Sequence, residues 1–258
     1  MRIVTLLENT ACREDLTAEH GLSLYIETAE EKILFDAGQS EAFWKNALAL
    51  GIDLSKVDTA VLSHGHYDHG GGLVRFLETN SSAPVWMNCH AFEPHYNASG
   101  KNIGLPEVLN GNSRIRYGEN GQTIGKGMIL YNRIPCAVPV QPFGLTVRQK
   151  NALVPEDFRH EQYFLIEESG KRILISGCSH RGILNIMAHF RPDVLVGGFH
   201  FMKLDPKGAE LEAAAAVLGR YPCTYYTGHC TGEEQFETLK EILGSRLHRL
   251  TTGTEIWI

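Results

Sequence analysis

The chain has 258 residues, of which 43% are hydrophobic and 21% charged, and its formal net charge is −6. That apolar content excludes a disordered chain, and 26 glycines, 10 prolines and 6 cysteines exclude collagen-like and disulfide-scaffold classes. The acidic balance provides no bulk attraction to nucleic acid, and no apolar run approaches the roughly 18 residues of a membrane span. Histidine, at 12 residues, is the one count that asks for a reason.

The opening residues, Met1 to Glu8, hold too short an apolar run for a secretory leader. With cysteines that do not pattern as a disulfide framework, a cytoplasmic chain with reduced thiols is expected. Residues 2–7 form the first apolar run, and 22–26 with 32–36 read as a hairpin. A helix follows over 39–50, with Phe43, Ala47, Leu48 and Leu50 at helical spacing and Gly51 at its end. Residues 57–62 read as a strand stopping at Ser63, 72–78 as a helix and 84–87 as a strand. Between 89 and 132 the periodicity fades among glycines, so a substrate-covering insertion is expected there. A second hairpin over 162–167 and 172–176 precedes a strand at 194–197 and a helix over 207–218. The chain closes with a strand at 223–226, a helix over 233–243 and a strand at 254–258. Two halves, each strand-rich and then helical, predict an α/β fold: two sheets face to face with helices outside, as one domain over 1–258.

Directly after the 57–62 strand stands Ser63-His64-Gly65-His66-Tyr67-Asp68-His69-Gly70-Gly71-Gly72. Neutral imidazoles with a carboxylate suit zinc, iron or manganese. In an extended segment His64 and His66 point the same way and can grip one ion. Asp68 and His69 come where the chain turns toward a helix and project to a neighbouring point, the pattern of a two-metal site. The three glycines would let the backbone pass close to the ions. A chance cluster on a polar loop is the bland alternative.

This string resembles the metallo-β-lactamase superfamily of metal-dependent hydrolases. The resemblance implies a four-layer αββα sandwich with the metal site at one edge. It implies a supporting role for Asp36, which ends the 32–36 strand. It also implies a bridging ligand position at Cys178 and a ligand at His229 that completes the second metal's shell. Three later stretches resemble a branch named after the dihydropterin–ribofuranosylaminobenzene phosphate synthases. These are Gly177-Cys178-Ser179-His180-Arg181-Gly182-Ile183, Gly197-Gly198-Phe199-His200 and His229-Cys230-Thr231-Gly232. The superfamily places a further histidine before Cys178, where this chain has Arg159-His160-Glu161-Gln162. His160, Glu161 and His180 are therefore alternatives for the first metal's remaining ligand, with His180 preferred for its strand-end position.

The candidate metal ligands are thus His64, His66, Asp68, His69, His180 and His229, with Cys178 either a ligand or an inert buried thiol. Thr231 or Gly232 can cap the helix that follows, which leaves His229 free to ligate. Asp68 and His200 are the candidate catalytic groups, Asp68 to orient the nucleophile or carry a proton and His200 to stabilise an oxyanion. His90, His95 and Lys101, with Tyr96 and Asn97, are candidate lid contacts to an anionic substrate, and Arg181 and Lys203 could assist with a phosphate. His20, His189 and His248 receive no role.

The expected activity is hydrolysis of a small anionic substrate by a metal-bound hydroxide, with two zinc ions, or manganese or iron, as cofactor. No nucleic-acid or membrane partner is expected, and oligomeric state stays open. The alternatives are a condensing synthase, as the branch name implies, an iron redox enzyme, and a binding protein that has lost turnover.

Overall fold

A strand covered on both faces must be apolar at consecutive positions, and the strands of this protein are. In Ile33-Leu34-Phe35 the outer two side chains enter one core and Leu34 another. Phe164-Leu165-Ile166, Ile173-Leu174-Ile175 and Val194-Leu195-Val196 divide in the same way. Three cores separated by two sheets make four layers.

The computed structural model describes residues 1–258. One seven-stranded sheet contains β1 (Arg2–Leu7), β2 (Ser23–Glu27), β3 (Lys32–Phe35), β4 (Thr59–Val61), β5 (Val85–Met87), β7 (Ile115–Tyr117) and β17 (Glu255–Trp257). A second contains β8 (Gln122–Gly125), β9 (Met128–Tyr131), β12 (Tyr163–Glu168), β13 (Lys171–Ile175), β14 (Val194–Val196), β15 (Thr224–Thr227) and β16 (Leu247–Arg249). Both expected hairpins are present, with Ile26 opposite Ile33 and Leu165 opposite Leu174.

The central core joins the two sheets, with Phe35 of one stacked on Phe164 of the other at 6.4 Å. Truncation of either ring would cost about 3–5 kcal/mol. The first sheet's outer face is covered by α1 (Ala42–Ala49) and α3 (Leu73–Thr79) through Phe43, Ala47, Leu73 and Phe76. The second is covered by α4 (Ile183–Phe190), α5 (Ala209–Leu218) and α6 (Glu233–Leu243). The fold is therefore the four-layer αββα sandwich.

Two sequence expectations change. Helix α4 was not anticipated, although Ile183, Ile186, Met187 and Phe190 fall at helical spacing and all are buried. The 89–132 stretch is divided: β7, β8 and β9 extend the two large sheets, so only the part before Ile115 leaves the sandwich. A small third sheet combines β6 (His95–Tyr96) with β10 (Thr146–Gln149) and β11 (Ala152–Pro155), beyond the expected boundary. No helix is long and apolar enough to cross a membrane, and all six cysteines are free thiols.

Strands β3, β4, β5 and β7 run parallel, as do β13, β14, β15 and β16. In open α/β sheets functional groups collect beyond the carboxyl ends of such strands. Asp36, Ser179, His200 and His229 all follow strand ends there, and all have positive φ, from 47° to 58°. Non-glycine residues held in that region concentrate at functional sites.

Candidate metal centre

After β4 the chain passes through Ser63 and the two histidines of His64-Gly65-His66 before turning into α2 (Tyr67–Gly70). His64, His66, Asp68 and His69 are all buried. Asp36 organises this turn. Its carboxylate accepts the Ser63 N–H at 2.6 Å, the Ser63 hydroxyl at 2.7 Å and the His69 Nδ1–H at 2.6 Å. Because the Ser63 hydroxyl proton is committed to Asp36, His64 must donate its Nδ1–H to Ser63 Oγ, 2.8 Å away. Both histidines are thereby left with a bare Nε2 lone pair, the arrangement that outer carboxylates impose on metal-bound imidazoles.

The facing element, at the end of β15, is built alike. His229 has Nδ1 3.0 Å from Asn9 Oδ1, an oxygen identified by its acceptance of the Gly21 N–H and by the Asn9 amide donating to His229 O. Glu8, buried and pushed up to about 7 by that burial, accepts the His229 N–H. The bare Nε2 of His229 then lies 3.2 Å from the bare Nε2 of His69. Two lone pairs at that distance require a cation between them. Tetrahedral zinc with Zn–N near 2.05 Å places its nitrogen ligands about 3.3 Å apart, so the donor set fits a divalent metal.

Without a metal a proton must serve. Burial disfavours charge on His69, but Asp36 and Asp68 outweigh it and its pKa is raised. Asp68 Oδ2 completes this side, 3.4 Å from His229 Nε2 and 3.8 Å from His69 Nε2.

A second pair repeats the motif. His180 Nε2 lies 3.3 Å from His64 Nε2. Its ring stacks on Phe158 at 4.5 Å, and its backbone N–H donates to Glu161 Oε1 at 2.6 Å. Of the three alternatives for this position, only His180 turns a ring nitrogen toward His64. Glu161 spends its carboxylate on the backbone N–H groups of His180 and Arg181 and on the Tyr163 hydroxyl. His160 accepts the Gly65 N–H through Nδ1 at 2.9 Å.

Cys178, at the end of β13, belongs with both pairs: its sulfur lies within 4.8 Å of the ligating atoms of His64 and His180 and of those of His69 and His229. Burial pushes its thiol pKa well up.

Behind His66 lies a third group. The ligating atoms of His66, His95, Glu156 and His160 lie within 4.8 Å of one another, all buried. Glu156 accepts His95 Nδ1–H at 2.8 Å, while the Nε2 atoms of His66, His95 and His160 lack partners. His95, expected on a lid, is thus a buried residue packed on His160 at 3.9 Å, because β6 is clamped between β10 and the metal-string turn.

His20 also departs from expectation. It lies half-exposed over the site, 3.3 Å from Asp68 Oδ2 and 4.6 Å from the His229 ring. His200 packs on His180 at 4.3 Å and is lowered by burial to about 4.

Lys101 is exposed above the Tyr67 ring at 5.9 Å. Asn97 spends its side chain on the turn at 99–101. His90 lines a polar recess with Arg133, Arg159 and Arg181, bonded to Glu93 at 2.9 Å. The three glycines serve the chain rather than an ion: a Cβ on Gly71 or Gly72 would sit 2.4 Å from Gln39 O or 2.1 Å from Ala37 O. Asn9, Glu8 and Glu156 carried no sequence signal, Ser63 only that it abuts the string, and His160, weighed as a ligand to the first metal, instead joins the group behind His66.

Nine of the 12 histidines form one chain of ring contacts, linking His20, His229, His69, His64, His66, His160, His95, His180 and His200. Fold and ligand clusters together define an αββα protein with a candidate metal centre at the carboxyl edge of its parallel strands.

Residues 16–141 match the family model of the metallo-beta-lactamase superfamily. An uncharacterized protein of Methanocaldococcus jannaschii is 30% identical over 209 residues, covering 78% of this chain and 79% of that one. The 7,8-dihydropterin-6-methyl-4-(beta-D-ribofuranosyl)-aminobenzene-5'-phosphate synthase of the same organism is 26% identical, covering 98% and 95%. A crystal structure of a metal-dependent hydrolase of the beta-lactamase superfamily superposes with a TM-score of 0.88 at 29% identity, covering 100% and 99%. The chain belongs to the metallo-β-lactamase superfamily.

Proposed function

We propose that this protein is a metal-dependent hydrolase of a small, anionic substrate, working through a dinuclear centre. The observation that carries the proposal is the double membership of Cys178, which stands between the His64–His180 and His69–His229 pairs. In this reading His64 and His180, joined by the neighbouring His66, would hold one ion, Asp68, His69 and His229 would hold the other, and Cys178 would be available to both. Imidazole, carboxylate and thiolate together suit zinc best. Two divalent ions would supply an acidified water and a Lewis acid for the electrophilic oxygen. Asp68 would orient the nucleophile or pass a proton to the leaving group. His200, neutral at pH 7, donates an N–H to the oxygen on which charge develops. A cationic centre in a protein of net charge −6 favours a small anion over a polyanion.

The test is a hydrolysis screen of phosphodiesters, phosphomonoesters, lactones and thioesters with the natively bound metal. Turnover of one class, abolished in Asp68→Ala and His66→Ala, is the expected result. Full activity in metal-loaded His66→Ala would sink the mechanism.

A second reading, a condensing synthase, is favoured by the 26% identity to the synthase over 98% of this chain. Displacement of an anionic leaving group by an amine or carbon nucleophile would use the same side chains. Strict dependence of turnover on a second organic substrate, with no hydrolysis in its absence, would select it.

A further inference from the structure

Beside the centre lies a cavity of about 290 Å³ with His180 and His200 in its wall. Helix α5 contributes Ala213 and Val217 from one face, and the segment at 138–143 contributes Val140 and Phe143 from the opposite side. No lysine or arginine lines it. Its other polar residues are Gln141, Ser179 and Glu210, and the Glu210 carboxylate disfavours an anion away from the histidine end. An apolar cavity of about 150 Å³ accommodates a benzene, so this one has room for a group of one or two rings. The arginines near the site are elsewhere, and Arg159 is already paired with Glu93 at 2.6 Å.

We propose that the substrate is amphipathic: an uncharged, one- or two-ring apolar group docks between the 138–143 segment and α5, and the bond to be broken lies at the His180–His200 end. This deepens the hydrolase reading and rests on it. The cavity is too small for a protein segment and opens on the candidate ligand His180, so its occupant is part of the molecule that reacts. The substrate is then more than the small anion that charge alone suggested.

The test compares the binding of 2-naphthylphosphonate and methylphosphonate to the metal-loaded protein by calorimetry. Burial of about 100 Å² of ring surface should favour the naphthyl compound by about 60-fold. In Ala213→Trp, a change at an exposed α5 position that fills the cavity, the ratio should fall to within about threefold of unity. Phe143→Ala should reduce it several-fold without filling anything. Equal affinities in the wild type, a ratio that survives both substitutions, or no binding of the naphthyl compound would each overturn the proposal. Failure of the hydrolase reading looks different: the naphthyl advantage would persist unchanged in protein stripped of metal and found to contain none as isolated.

Discussion

The two sides of the centre are braced differently. On the His69–His229 side every ring has its outer nitrogen committed, His69 to Asp36 and His229 to Asn9. On the other side only His64 is held, by Ser63 Oγ, while His66 Nε2 and His180 Nδ1 are buried without partners, and so are the Nε2 atoms of His95 and His160 behind them. Rings fixed by acceptors have their lone pairs aimed before an ion arrives, whereas unbraced rings must be ordered by it. The braced side should therefore hold metal more tightly, and a chelator titration should remove the two ions in separate steps.

The largest way to break this asymmetry is at Asp36. Asp36→Asn tolerates the positive φ but replaces one acceptor oxygen with an NH2 donor. Its single amide oxygen cannot serve the Ser63 N–H, the Ser63 hydroxyl and the His69 Nδ1–H together, so it should weaken metal binding by about 10–100-fold and merge the two chelation steps, as read by competition with a chromophoric chelator. Asn9→Ala removes a single neutral acceptor from His229 and should weaken binding by about tenfold.

Acid should act on both sides of the metal-free protein. Burial lowers His66 to about 3 and His200 and His229 to about 4, and pushes His64, His160 and His180 well down. His69 alone is raised. In the unfolded chain these groups protonate near 6.5, so the folded state binds fewer protons below that pH. Their contribution is present above about pH 6.5 and is lost as pH falls toward 4. The urea midpoint of chelated protein should drop between pH 7.5 and 5.5; a flat or rising profile would contradict the burial of these rings.

The smallest effect is expected behind the unbraced side. Glu156→Gln keeps a carbonyl acceptor for one neighbour and should shift metal affinity less than about threefold. A loss as large as that of Asp36→Asn would erase the asymmetry.

What the sequence disclosed follows from how local each feature is. His64, His66, Asp68 and His69 announce themselves because one short turn carries them, and the layered fold because consecutive apolar residues mark strands covered on both faces. His200 and His229 were legible as strand-end residues. Asn9 and Glu156 were not, since they reach the site through contacts spanning tens or hundreds of residues with no motif around them. Helix α4 was legible in principle, and its spacing was overshadowed by the Cys178–Ile183 motif that precedes it. His95 misled because β6, only two residues long, leaves no periodic trace to separate a buried residue from a loop.

The central claim is that two ions sit in two clusters joined at Cys178. It is tested most directly by elemental analysis of protein purified without added metal, together with His229→Ala. The account predicts about two divalent ions per chain in the wild type and about one, on the His64–His66–His180 side, in the variant. Sub-stoichiometric metal in the wild type, or an unchanged content in His229→Ala, would contradict it.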